Sequence, residues 1–219
     1  MLLAHTGAEA VPAQPAASYI TRYYDNYAAS YDQKLVDSLH YQCPQIILAA
    51  LRKHCKEKVD ILDLGCGTGL CGQAVRPLAK HLEGVGLSPQ MRAKAQHLNR
   101  ARSRRHLPIP GAKAGRYDVI VAAGVFEHIG DPRHVFQAAF RALKDPGLFI
   151  LTAETNPVHG LSVNSSGYYM DARTYLEERA TRYRFSVSSL EPVKMRIDNG
   201  TPVTQPSPPV QPTLLYHLP

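Results

Sequence analysis

The sequence predicts an α/β fold built as a doubly wound, mostly parallel sheet with helices on both faces. Three observations carry this. Apolar runs of strand length, near Val59, Leu82, Tyr117 and Leu148, alternate with stretches whose apolar residues recur at helical spacing. The connections between them are short, as units of alternating strand and helix require. The first run, Val59-Asp60-Ile61-Leu62-Asp63-Leu64, also passes straight into Gly65-Cys66-Gly67-Thr68-Gly69, a glycine turn of the kind that joins a strand to a helix.

Residues 1–16 contain Ala, Pro and Gly without periodicity and predict a flexible arm, leaving 17–219 as one domain. Over 17–55 a helical cap is expected. Ile20, Tyr23, Tyr24, Tyr27, Tyr31, Leu35 and Leu39 recur mostly every three or four residues, and Pro44 opens a second helix reaching about Cys55. A tyrosine stripe of this kind either packs or lids a small-molecule pocket, since each ring adds apolar area with a polar tip.

After the glycine turn, Leu82-Glu83-Gly84-Val85 reads as a strand and Ser88-Pro89 as a helix start, the helix running to about Arg102. Tyr117-Asp118-Val119-Ile120-Val121-Ala122-Ala123-Gly124-Val125 is continuous apolar sequence, as a central parallel strand requires. Asp131 is placed to cap a helix over 132–143, and Asp145-Pro146-Gly147 to turn into the next strand. Beyond Glu154, a Ser/Gly-rich loop over 159–169 precedes a helix over 171–183 and an alternating strand over 185–197. Asn199-Gly200 suggests a hairpin, the proline-rich 202–212 suits an edge segment, and Leu214 to His217 are expected to pair only briefly.

In the glycine turn, Gly65 and Gly67 let a ligand lie against the main chain, while the following helix points free N–H groups at it. The G-x-G-x-x-G and G-x-x-x-x-G-K-[ST] spacings of nucleotide-phosphate loops are absent here. Asp63-Leu64-Gly65-Cys66-Gly67-Thr68-Gly69 closely resembles motif I of the class I S-adenosylmethionine-dependent methyltransferases. The resemblance continues through Gly84-Val85-Gly86-Leu87-Ser88-Pro89-Gln90-Met91, Phe126-Glu127-His128 and Lys144-Asp145-Pro146-Gly147, over about 20–203. Two further stretches, Tyr24-Asp25-Asn26-Tyr27-Ala28-Ala29-Ser30-Tyr31-Asp32 and Ser166-Gly167-Tyr168-Tyr169, resemble the predicted methyltransferases associated with tetratricopeptide repeats, although no such repeat is visible.

The resemblance implies a Rossmann-like sheet ending in an antiparallel hairpin, with a cofactor-binding core over 56–155 and a substrate-side loop and C-terminal hairpin over 156–219. It implies S-adenosyl-L-methionine as cofactor and S-adenosyl-L-homocysteine as product. Asp63, Gly65, Cys66, Gly67, Thr68 and Gly69 would hold the cofactor's methionine and ribose. Leu87, Ser88, Met91, Ala123 and Gly124 would complete its site. Tyr23, Tyr27, Tyr31, Glu127, His128 and Tyr168 would face the acceptor, with His128 the candidate general base. The alternative is a histidine that only packs against the cofactor.

Two departures stand out. The family ends its second strand on an acid that accepts both ribose hydroxyls; here that position is Gly86. The family also places a third strand and an adenine-contacting acid within 92–116, where this chain has no Asp or Glu, so that strand is expected to be truncated or missing. The alternative function is therefore a methyltransferase-like protein that binds without turnover.

The net charge of +7 is local: eight Lys/Arg fall between Arg92 and Arg116, leaving the remainder close to neutral. Without interleaved aromatic residues, that patch argues against nucleic acid as a partner and favours a solvated face. Cys43, Cys55, Cys66 and Cys71 form no zinc or disulfide pattern, and Met1-Leu2-Leu3-Ala4 is too short for a signal-peptide core. A cytoplasmic monomer or homodimer without a membrane segment, acting on a small-molecule acceptor, is the expectation.

Overall fold

A computed structural model describes residues 10–98, 102–104, 115–156, 160–164, 167–192, 195, 197–198, 201–202 and 212–217. Its main sheet has seven strands. In chain order they are β1 (Val59–Leu64), β2 (Ala79–Val85), β3 (Arg102–Arg104), β4 (Tyr117–Ala122), β5 (Leu143–Thr152), β9 (Ser186–Pro192) and β12 (Pro212–His217). They lie side by side as β3-β2-β1-β4-β5-β12-β9. The first five are parallel, and β12 runs antiparallel to both neighbours. This is the Rossmann-like sheet with a reversed final strand that was expected.

Strand periodicity divides the core into two halves. Leu62, Ile120, Phe149 and Leu151 face one side of the sheet; Ile61, Val119, Val121 and Ile150 face the other. The first face packs on helices α6 (Arg133–Ala142) and α7 (Arg173–Arg182), through Phe136, Ala139 and Leu176. The second packs on α3 (Cys43–His54) and α4 (Leu70–Val75), through Ile47, Leu51, Cys71 and Val75. Both faces being covered explains why the strands read as unbroken apolar runs. At the amino ends of β1 and β4, Lys144 bridges Asp60 at 2.8 Å and Asp118 at 2.9 Å, and its ammonium holds the Asp60 carboxyl below its ordinary value.

The tyrosine stripe is not one helix. It divides into α1 (Ala17–Tyr27), a short α2 (Tyr31–Gln33) and a π-helical turn at Lys34–Ser38. Of the arm, residues 1–9 lie outside the described residues. Residues 12 and 13 are hydrogen-bonded: the Pro12 carbonyl accepts from Tyr169 Oη at 2.9 Å and the Ala13 carbonyl from the Asp131 N–H at 2.6 Å.

Helix α5 (Pro89–His97) stops short of Arg102, which belongs to β3. The third strand exists, three residues long, paired with Glu83 to Val85 of β2. The loop expected over 159–169 contributes to a small sheet of β6 (Thr155–Asn156), β7 (Leu161–Val163) and β8 (Tyr169–Ala172), the last two antiparallel. A separate hairpin joins β10 (Ile197–Asp198) to β11 (Thr201–Pro202); its tip, Asn199-Gly200, lies outside the described residues, as do 105–114 and 203–211. The expectation that Leu214 to His217 pair briefly is corrected. β12 is an interior strand, bonded to β5 on one side and β9 on the other.

Candidate functional site

The cavity sits where such sheets build their sites, at the carboxyl ends of β1, β2 and β4 beneath the helical cap. Its volume is about 280 Å³.

The end of β1 forms its floor. Gly65, Gly67 and Gly69 all take left-handed φ values, +72°, +49° and +85°. At Gly65 a Cβ would stand 2.5 Å from Val125 Cγ2, so glycine is required there for space as well as conformation. The Cys66 N–H bonds the Val85 carbonyl at 2.9 Å, joining the loop to the end of β2. Asp63 is buried beside the loop. Burial pushes its carboxyl up to about 7, opposed by an N–H hydrogen bond from Gly72. Its Oδ2 is buried with no hydrogen-bond partner among the described residues.

The end of β2 forms the adjoining wall. Ser88 caps α5, its Oγ accepting from the Met91 N–H at 3.1 Å and donating to Asp25 of α1. Thr68 donates to Asp32 of α2, and Lys94 approaches the same carboxylate at 3.6 Å. Two cap carboxylates thus fasten the cap to both loops.

On the acceptor side, Tyr24 and His128 Nε2 share a hydrogen bond. Burial, reinforced by Tyr31 and Glu127, holds the Tyr24 phenol well above its ordinary value. The hydroxyl therefore keeps its proton at the ring of His128. The His128 ring packs edge-on between Tyr24 and Tyr168, each 5.3 Å away. Burial likewise raises Tyr31 and Tyr41.

Of the residues singled out in the sequence, Asp63, Gly65, Cys66, Gly67 and Thr68 line the cavity, as do Leu87, Ser88, Met91, Ala123 and Gly124. Gly69 stands behind it as the N-cap of α4. Tyr31 and His128 line it; Tyr23, Tyr27, Glu127 and Tyr168 do not. Tyr23 is 44% exposed on the outer face of α1, and Tyr24, one residue further round the helix, points inward instead. Tyr27 packs on Tyr31, and Tyr168 on the ring of His128. The Glu127 carboxylate lies buried beneath Gly124. Sequence reasoning missed Tyr24 and Tyr41 as lining residues, and also Arg92. The stripe contained Tyr24, but helical spacing alone does not say which of two adjacent tyrosines faces in. Among the described residues no helix is long and apolar enough to cross a membrane.

Residues 35–191 match the profile of a family described as "Methyltransferase domain". A ubiquinone biosynthesis O-methyltransferase of Psychrobacter arcticus is 27% identical over 151 residues, covering 64% of this chain and 58% of that protein. The match thus reaches little more than half of that relative's length. Among solved structures, the 1,6-didemethyltoxoflavin-N1-methyltransferase of Burkholderia thailandensis, with bound 1,6-didemethyltoxoflavin and S-adenosylhomocysteine, aligns with TM-score 0.69 at 17% identity over 96% of this chain and 93% of that one. Magnesium protoporphyrin IX methyltransferase of Synechocystis, with bound SAH, aligns with TM-score 0.69 at 14% identity over 92% and 99%. At these identities the two structures speak to the fold.

Proposed function

This chain belongs to the methyltransferase domain family, and from that premise we propose that it transfers a methyl group from S-adenosyl-L-methionine to an O, N or C nucleophile of a small molecule. The observation that carries the reading is Asp63: a buried carboxyl oxygen with no hydrogen-bond partner among the described residues, beside a left-handed glycine loop that leaves main chain open to a ligand. A buried acid of this kind calls for a cationic or N–H-bearing ligand group. The amino group of the cofactor is one, so the residues present fit it.

Asp63 would hold that amine, the Gly65 to Gly69 loop would pass beneath its sulfonium and ribose, and Met91 and Leu87 would hold its base. When bound, the cofactor supplies an electrophilic methyl on a sulfonium. The chain's own part is orientation, exclusion of water and proton handling. Tyr31 and Tyr41 offer hydroxyls to the acceptor, and His128, its ring held by Tyr24 through Nε2, is the general base for the acceptor's proton. The cap latched by Asp25 and Asp32 encloses a small cavity, which supports a small-molecule acceptor. Tyr24 to Asp32 also favours the subgroup associated with tetratricopeptide repeats.

A second reading, ligand binding without turnover, is favoured by one observation: Gly86 puts no acceptor at the end of β2. Calorimetric titration with S-adenosyl-L-homocysteine tests the cofactor. Micromolar binding is expected, and silence at millimolar ligand sinks the proposal. A screen of acceptors for methyl transfer, with His128→Gln as control, then separates turnover from binding alone.

A further inference from the structure

Strand β2 brings no acid of its own to the cavity. It ends at Gly86, where a built Cβ would meet Arg92 Cγ and Cys66 Sγ at 3.6 Å, both ordinary contacts. Gly86 is not among the left-handed glycines either. Neither space nor conformation demands glycine there, so an acceptor at this corner has to come from another element. Helix α1 carries one. Asp25 reaches across to the start of α5, where its Oδ1 accepts from the Ser88 hydroxyl and, at 3.2 Å, from the Gln90 N–H. Both hydrogen bonds use the same oxygen, and Oδ2 makes none among the described residues.

The two cap acids differ in their company. Asp32 faces Lys94 at 3.6 Å, whereas Asp25 forms no ion pair among the described residues. Ser88 turns that second carboxylate into a directed acceptor. It is buried, and it lines the cavity between Leu87 and Met91. A hydroxyl has one proton and two lone pairs. The proton goes to Asp25, and one lone pair takes the Met91 N–H at 3.1 Å. The other lone pair is used by no described residue. With its proton committed, Ser88 can only accept from a ligand, and the carboxylate behind it strengthens that bond.

We propose that Asp25 is a positioning residue for the cofactor: through Ser88 it takes over, at the sugar edge, the acceptor role for which Gly86 has no side chain. The pair selects a sugar hydroxyl, which can donate to it, and disfavours a sugar that lacks one. This rests on the reading above, in which the nucleoside of the ligand lies along the end of β2. Because the acid rides on the cap, closing the cap and gripping the cofactor become one event.

The test is calorimetry on the full chain, with S-adenosyl-L-homocysteine and its 2′-deoxy and 3′-deoxy analogues as separate probes. At least one analogue is expected to bind about tenfold more weakly than the parent. Asp25→Asn, which keeps an oxygen for the Ser88 hydroxyl but removes the charge, should narrow that ratio to about threefold. Ser88→Ala should erase it, and Ser88→Thr, which keeps the hydroxyl, should preserve it. A cap that is merely loosened weakens all three probes alike, so Asp25→Asn lowering every affinity at a constant ratio overturns the inference. If the parent binds and both analogues match it, this inference alone fails and the cofactor reading stands. If no probe binds, the cofactor reading fails and takes the inference with it. If the hydroxyl preference depends on Asp25 and the acceptor screen shows no turnover, Asp25 keeps its role and methyl transfer alone fails.

Discussion

Strands β1 and β2 are neighbours, parallel and paired from Asp60 with His81 to Leu64 with Val85, yet they deliver their chains to the cavity differently. The end of β1 is fixed by steric necessity, with three left-handed glycines and a buried acid. The end of β2 has one glycine in an unstrained conformation, a capped helix and an arginine laid over the gap. The first leaves no room for a side chain at Gly65 and strains one at Gly67 and Gly69. The second is a surface whose chemistry is open to exchange, because no backbone constraint holds it. The difference teaches which departures from a family pattern are expensive and which are adjustable.

Substitution at Gly65 should break the comparison hardest. Gly65→Ala forces a Cβ onto Val125 at positive φ and is expected to cost about 2–4 kcal/mol in chemical denaturation. Asp63→Asn comes next, with affinity for S-adenosyl-L-homocysteine falling roughly tenfold to a hundredfold. It also carries a pH signature. Folded Asp63 stays protonated up to about 7, whereas its ordinary value is 3.8, so the folded state holds the extra proton between them. Wild-type stability should then decline as pH rises through that window, and Asp63→Asn should flatten the decline in melts collected at several pH values. Removing the hydroxyl in Ser88→Ala should cost about 1 kcal/mol, read by thermal denaturation, because an N-cap and the Asp25 latch are lost together. Gly86→Ala should change stability by no more than about 0.5 kcal/mol. A large loss there would mean that the two strand ends are equally constrained.

What the sequence made legible follows the same division. The β1 turn was readable because strand, glycines and helix are contiguous and each residue's role is local. So was the alternation of Leu148, Phe149, Ile150 and Leu151 between two covered faces. Gly86 was visible as a missing acid, but Arg92 lying over it was not, since that depends on where α5 is laid against β2. Tyr24 rather than Tyr23 faces the cavity because the cap is latched at Asp25 and Asp32, contacts to residues about 40 to 60 positions away. β12 was misjudged because its partners on β5 are some 60 residues distant and its flank is rich in proline.

That last strand has a consequence for how the molecule is made. Residues 212–217 leave the ribosome after every other described strand, yet their place is inside the sheet. Until they emerge, β5 presents a bare row of amides and carbonyls on one flank and β9 has no neighbour on that side. The nascent chain therefore carries two sticky, unmated borders until residues 212–217 slide between them and knit both at once.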